Sequence, residues 1–218
     1  GRDALAQRRC SQLWAARLVG AITPMPPRPA TRRDRIRIGY LSSDFRYHAM
    51  SFLIAGMIEG HDRSQFDVHG FSAGPDDGTD MRRRMEKAFD HFHDVSTLTD
   101  GAIAGLIRER EIDIAIDLNG WSNNTRIGAL APRPAPVQVT YLGFPGTLGT
   151  RFIDYTFTDR WVAPLEAQAA FCEQLVLMPD CYFVNDSKRE IATAVPSRAE
   201  CGLPPDAFVF CCFNSTYK

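Results

Sequence analysis

Apolar positions along the chain follow two periods, and the period changes where turn residues intervene. Over residues 1–22 they are spread as on an amphipathic helix, which needs a partner to cover its apolar stripe. The stretch TPMPPRPATRRDR follows, rich in Pro and Arg, and cannot continue a helix. Beyond it, short runs with strand character are predicted at 37–42, 66–72, 91–95, 112–118, 137–142, 155–158 and 175–177. Helical spacing is predicted at 51–60, 80–89, 98–109 and 166–171, with a GPDDG turn at 74–78. Alternation of this length predicts an α/β fold, a parallel sheet with helices on both faces. In such sheets the working residues sit at the carboxyl ends of the strands. The loops 42–48, 74–79, 119–126 and 143–149 are therefore the ones to inspect.

From residue 186 to 206 the composition turns polar and Pro-rich, as in a linker. FVFCCF, residues 208–213, reads as a buried strand opening a second α/β domain, with Cys211 and Cys212 as small core residues. The expected organisation is a helical junction over 1–30, an α/β lobe over 31–185, and a linker with the first strand of a further lobe over 186–218.

Charge removes some functions from consideration. The net charge of −1 provides no global field to recruit nucleic acid or an anionic membrane. No run approaches the ~20 apolar residues that a membrane span needs. The N-terminal stretch lacks the pattern of a signal peptide. None of the six cysteines forms part of a paired CxxC set, so neither zinc nor another metal is expected, and a reducing, cytoplasmic setting fits.

Several loops carry candidate chemistry. SSDFRYH, residues 42–48, places a carboxylate, Asp44, and an imidazole, His48, in one strand-to-helix loop. They can serve a proton transfer, orient a hydroxyl or sit near a phosphate; spacing alone favours Asp44 or Ser43 as the cap of the next helix, with His48 at the surface. LGFPGTLG, residues 142–149, brings glycines against a strand end, where backbone N–H groups can approach a ligand or simply form a tight turn. NGWSNNTR, residues 119–126, combines Trp121, amides and Arg126, suited to sugar or peptide contact or to a helix start. PDDGTD at 75–80 reads as a turn and a capped helix more readily than as a metal site. His91 and His93 share a strand face, but His61, His69, His91 and His93 give no ligand pattern and no third ligand is apparent. FNSTYK, residues 213–218, can set a cation against a diphosphate.

Taken in order, IRIGYLSSDFRYH, FSAGPDDGTDMR, IDLNGWSNNTR, RPAPVQVTYLGFPGTLG, FIDYTFTDR and FCCFNSTYK resemble the catalytic region of the protein O-GlcNAc transferase family across about residues 35–218. RPAPVQVTYLGFPGT is the most specific piece, and residues 1–30 look like the junction to upstream tetratricopeptide repeats. The resemblance implies the N-terminal, Rossmann-like lobe of a GT-B glycosyltransferase. It implies transfer of N-acetylglucosamine from UDP-GlcNAc to Ser or Thr hydroxyls of proteins, with inversion, without metal or other cofactor, and with UDP as product. The partners it implies are the nucleotide sugar, a protein or peptide acceptor and a C-terminal lobe of the same protein. By the same resemblance His48 and Asp44 take catalytic positions. Leu142, Gly143, Pro145, Gly146, Thr147 and Arg126 take positions at the substrate, and Tyr217 and Lys218 at the diphosphate. Animal members have Pro-Thr where this chain has Ala49-Met50, and commonly Gln where it has Ser215. A related transferase using another nucleotide sugar or an Asn acceptor is therefore the alternative, with a non-catalytic α/β binding module as the other.

Overall fold

A computed structural model describes residues 3–20, 22–28 and 32–212. They fall into two units, Gly1–Ser187 and Lys188–Lys218. The first unit opens with α1 (Ala4–Val19), then runs β1 (Ile36–Ser42), α2 (Ala49–Glu59), β2 (Phe66–Ser72), α3 (Asp80–Ala88), β3 (His91–Asp94) and α4 (Asp100–Glu109). It continues with β4 (Ile114–Asp117), β5 (Val137–Thr140), β6 (Tyr155–Thr158) and β7 (Gln174–Leu177). Single 3₁₀ segments occupy Ile127–Leu130 and Leu165–Ala170.

The strands lie in the order β3-β2-β1-β4-β5-β6-β7, and every neighbouring pair is parallel. Side chains alternate across the sheet, so each strand feeds two cores. Ile38 and Tyr40 of β1, Val68 of β2 and Ile116 of β4 join Ile54 and Ile58 of α2 and Met85 of α3 on one face. Leu41, Phe71 and Ala115 meet Ile103 and Ile107 of α4 on the other. These are helices on both faces of a parallel sheet, as the alternation of periods predicts.

Helix boundaries follow from side-chain caps. Thr79 and Thr99 accept from the N–H groups of Arg82 and Ala102, each at 3.2 Å, and set the starts of α3 and α4. The second cap moves the helix expected from 98 to a start at Asp100. α1 ends at Gly20, whose φ of +62° turns the chain off the helix. It buries Ser11 and Ala15, leaving Leu5, Leu13, Trp14 and Leu18 exposed. The helix predicted at 166–171 is a 3₁₀ segment, following Pro164 and lacking a side-chain cap.

The second unit departs from expectation. Residues 208–212 form no strand among the described residues, and Phe208, Phe210, Cys211 and Cys212 are exposed. A strand exists only as part of a ladder, and the described residues of this unit supply no other strand to pair with. The two phenylalanines instead rest on each other, ring centres 4.8 Å apart.

Gly105, inside α4, has open space where a Cβ would stand. Gly105→Ala is therefore expected to stabilise the fold by roughly 0.5–1 kcal/mol, read as a higher urea midpoint at unchanged m-value.

Candidate functional site

β1 connects outward to β2 and β3, whereas β4 leads toward β5, β6 and β7. The strand order thus reverses between β1 and β4, and loops leaving the carboxyl ends on either side open a crevice there. The loop after β1 carries Ser43 and Asp44, and the loop after β4 carries Asn119.

Asn119 ties the two loops together. Its side-chain oxygen accepts the Ser43 N–H at 2.8 Å. Its Nδ2 donates to Asp44 Oδ2 at 2.8 Å and lies 2.9 Å from Ser43 Oγ and 3.2 Å from Ser122 Oγ. An amide fits because it donates and accepts from adjacent atoms, which neither a carboxylate nor an aliphatic side chain can do. Asp44 is nearly buried, with Arg46 Nη2 3.6 Å from its other oxygen.

Below Asn119, the buried Asp117 shapes the turn. It accepts the Gly120 N–H at 2.7 Å, the Asn119 N–H at 3.3 Å and the Thr140 hydroxyl at 3.2 Å. Burial pushes its carboxyl up to about 6, against those hydrogen bonds, which pull it down. The native state then holds this proton where the unfolded chain has released it, from about pH 4 to 6, so this group's contribution to stability falls as pH rises through that window. Relative to Asp117→Asn, the wild-type chain is expected to lose roughly 3 kcal/mol between pH 4 and 7. Urea titrations of both proteins across that range check it; a constant difference rules the buried charge out.

The loop after β5 closes the third side. Leu142 is buried at φ +68°, and the Gly143 N–H donates to Tyr141 O at 2.8 Å, making a tight three-residue turn. A non-glycine residue held in the left-handed region stores strain, and such positions cluster at ligand clamps. Gly143 lies so close to β4 that a Cβ would stand 2.0 Å from the Leu118 carbonyl oxygen and 3.0 Å from Asn119 Cα. Trp121 Nε1 donates to Leu148 O at 3.1 Å and pins the same loop from its far end. From the β2 side, Gly74 meets the Ser43 carbonyl equally closely. The loops after β1, β2, β4 and β5 therefore share one wall.

His48 is the N-cap of α2. Its Nδ1 accepts the Met50 N–H at 3.2 Å and lies 3.8 Å from Asp44 Oδ2, too far for a hydrogen bond. With Nδ1 used as an acceptor, the neutral ring of this half-exposed side chain carries its proton on Nε2 and presents a donor. The cap weighed for this loop is thus made by the His48 side chain itself. A cleft of about 600 Å³ opens beside it, between Tyr47, Phe52 and the start of α3.

The remaining candidates divide. Pro145 is exposed at the loop tip. Gly146 packs against the Gln7 side chain of α1. Thr147 is fully buried; its hydroxyl donates to Glu173 Oε2 at 2.6 Å and accepts from the N–H groups of Gly149 and Cys172. Arg126 is bound to Asp100 and to the Leu98 carbonyl, both at 2.6 Å, at the start of α4. Both Thr147 and Arg126 hold the scaffold, because their polar groups are already engaged by protein partners. Tyr217 and Lys218 lie outside the described residues. Asn119 opens the loop 119–126 marked in the sequence, but neither it nor Asp117 was named there as a site residue; the signal available was the Asn-Gly that ends the alternating IDIAIDL run. Elsewhere, Asp67, His69 and His91 come together where no ligand pattern was evident, since Asp67 stands outside any His-rich motif.

Among the described residues, no helix is long and apolar enough to cross a membrane. Residues 21–193 match the family model described as glycosyl transferase family 41. The chain is 42% identical over 189 residues to the probable UDP-N-acetylglucosamine–peptide N-acetylglucosaminyltransferase SEC of Arabidopsis thaliana, covering 84% of this chain and 19% of that protein. It is 40% identical over 154 residues to the UDP-N-acetylglucosamine–peptide N-acetylglucosaminyltransferase of Caenorhabditis elegans, covering 70% of this chain and 13% of that one. A mutant of the Thermobaculum terrenum O-GlcNAc transferase superposes with a TM-score of 0.78 at 34% identity, over 83% of this chain and 35% of that structure. The chain thus spans about a fifth or less of these curated relatives and about a third of the solved structure. Its fold, the Rossmann-like N-terminal lobe of a GT-B enzyme, and the matched sequence agree: the chain belongs to glycosyl transferase family 41.

Proposed function

We propose that this chain is one lobe of an inverting glycosyltransferase that moves N-acetylglucosamine from UDP-GlcNAc to Ser or Thr hydroxyls of proteins. The observation that carries the reading is the convergence of Asp44, Asn119 and Gly143 at the reversal of strand order. A second lobe, with the nucleotide site, completes the cleft.

In this reaction the acceptor hydroxyl attacks the anomeric carbon from the face opposite UDP. The bond to the diphosphate oxygen breaks, and the hydroxyl proton leaves to a base. Asp44, oriented by Asn119 Nδ2, supplies the carboxylate that draws that proton. His48 contributes a ring N–H as a donor toward substrate oxygen, given its capped Nδ1. Leu142 and Gly143 line the sugar, with Pro145 at the rim. The family resemblance gives Tyr217 and Lys218 the diphosphate, where a cation stabilises the charge that grows on the leaving group. No cofactor or metal enters this mechanism, upstream tetratricopeptide repeats select protein partners, and the setting is cytoplasmic.

The test uses the intact protein with UDP-GlcNAc and a panel of peptides. UDP release coupled to a mass gain of one N-acetylhexosamine on Ser or Thr supports the reading. Modification from another nucleotide sugar alone, or on Asn alone, replaces it with the related transferase. Absence of any donor turnover overturns it.

A further inference from the structure

Far from the cleft, β2 and β3 carry a cluster that the transfer reaction does not use. Asp67 and His69 lie two apart on β2 and share the face to which Phe71 belongs. His91 is the register neighbour of His69 on β3. The carboxylate and two imidazoles offer one ligand atom each, all within 4.8 Å of one another. Asp67 sits near the amino end of β2, five residues or about 16 Å of strand from the end that faces the crevice.

Unsatisfied polar atoms mark the cluster. Asp67 Oδ1 and His69 Nε2 are buried and lack a hydrogen-bond partner. Nε2 of His69 stands 3.6 Å from Asp67 Oδ2, and Nε2 of His91 stands 3.3 Å from Asp67 Oδ1. On its other side, His69 Nδ1 meets His93 Nε2 at 3.2 Å. If Nδ1 is the donor in that pair, Nε2 holds a bare lone pair facing a carboxylate. Two acceptors facing each other in a buried site call for a cation between them.

We propose that Asp67, His69 and His91 bind a divalent transition-metal ion, zinc, pinning the edge strand β3 to β2. Two imidazoles and a carboxylate suit that class of ion, and a solvent molecule completes a four-coordinate shell. His93 takes the supporting role, fixing the ring orientation of His69. Tetrahedral bonds near 2.0–2.2 Å put ligand atoms about 3.3 Å apart, so the widest pair, within 4.8 Å, closes by about 1.5 Å or less on loading. His91, half-exposed, can make that adjustment and gives the ion its way in. Two guanidiniums compete for the carboxylate. Arg35 Nη2 lies 3.5 Å from Oδ1 and Arg37 Nε 3.7 Å from Oδ2, both turned largely toward other partners.

The test is zinc titration by calorimetry of the intact protein, stripped with a chelator and with its cysteines alkylated to remove thiolate sites. One zinc per chain is expected, with a rise in melting temperature. His91→Ala, with its fold checked by circular dichroism, is expected to weaken binding at least tenfold. Arg35→Gln is expected to tighten it several-fold by removing the competing charge. Cobalt in place of zinc should give a visible band that His91→Ala abolishes. Absence of zinc binding by the wild-type protein, or equal affinity in His91→Ala, overturns the site. Should His91→Ala misfold, the failure of Arg35→Gln to tighten binding does so.

Discussion

Gly143→Ala in the intact protein is expected to cut the proposed transfer reaction by about a hundredfold or more, a far larger effect than one methyl group usually has. The reason is where that methyl must go. An alanine Cβ would stand 2.0 Å from the Leu118 carbonyl oxygen and 2.8 Å from its carbon, both backbone atoms. A flexible side chain can move aside, but the Leu118 carbonyl cannot. Leu118 is fully buried, and its N–H is held by Leu41 O at 3.0 Å. Relief therefore comes from the loop after β5, which lifts from the β4 end and carries Leu142 and Pro145 away from Asn119. Overpacking of this kind costs typically 1–3 kcal/mol, so a lower melting temperature accompanies the loss. Gly105→Ala is the control, because it adds the same methyl group in open space and is expected to act with the opposite sign. Near-normal turnover by Gly143→Ala would detach this loop from the reacting centre.

The sheet was legible in the sequence because strand and helix periods alternate cleanly and caps such as Thr79 and Thr99 punctuate them. β2 and β6 fall on the predicted residues without adjustment. The site was legible in outline: Asp44 and Gly143 reach one wall because strand-end loops of a parallel sheet must emerge on the same side. The contacts that organise this wall were not. Asn119 matters through partners 76 and 75 residues away in sequence, which no local pattern encodes. Nor does a local pattern encode that Arg126 and Thr147 hydrogen-bond to Asp100 and Glu173. Of the strand expected at 208–213, the described residues 208–212 form none, on a different ground. A run of apolar residues states a preference for a ladder but cannot provide the neighbouring strand.

Asp44→Asn separates chemistry from architecture at the centre of the site. The amide keeps the size of the carboxylate and retains an oxygen to accept from Asn119 Nδ2, now 2.8 Å from Asp44 Oδ2. The variant is therefore expected to fold like the wild-type chain. It lacks the basic oxygen that draws the acceptor proton, so kcat is expected to fall by roughly 10²–10⁴, the range for loss of a general base, with the donor KM little changed. Asn119→Ala should behave differently. It leaves the buried Ser43 N–H and Asp44 carboxylate without their partner, at a cost of about 1–3 kcal/mol for each stranded group. Its melting temperature and its kcat then fall together, because Asp44 loses its orientation along with its support. A pair of thermal melts and steady-state rates distinguishes the two. If Asp44→Asn keeps wild-type kcat while Asn119→Ala does not, the carboxylate serves only to hold the loop, and the proton leaves by another group. The ring of His48 would then have to give up the Met50 N–H, swing Nδ1 toward Asp44 and expose a basic Nε2.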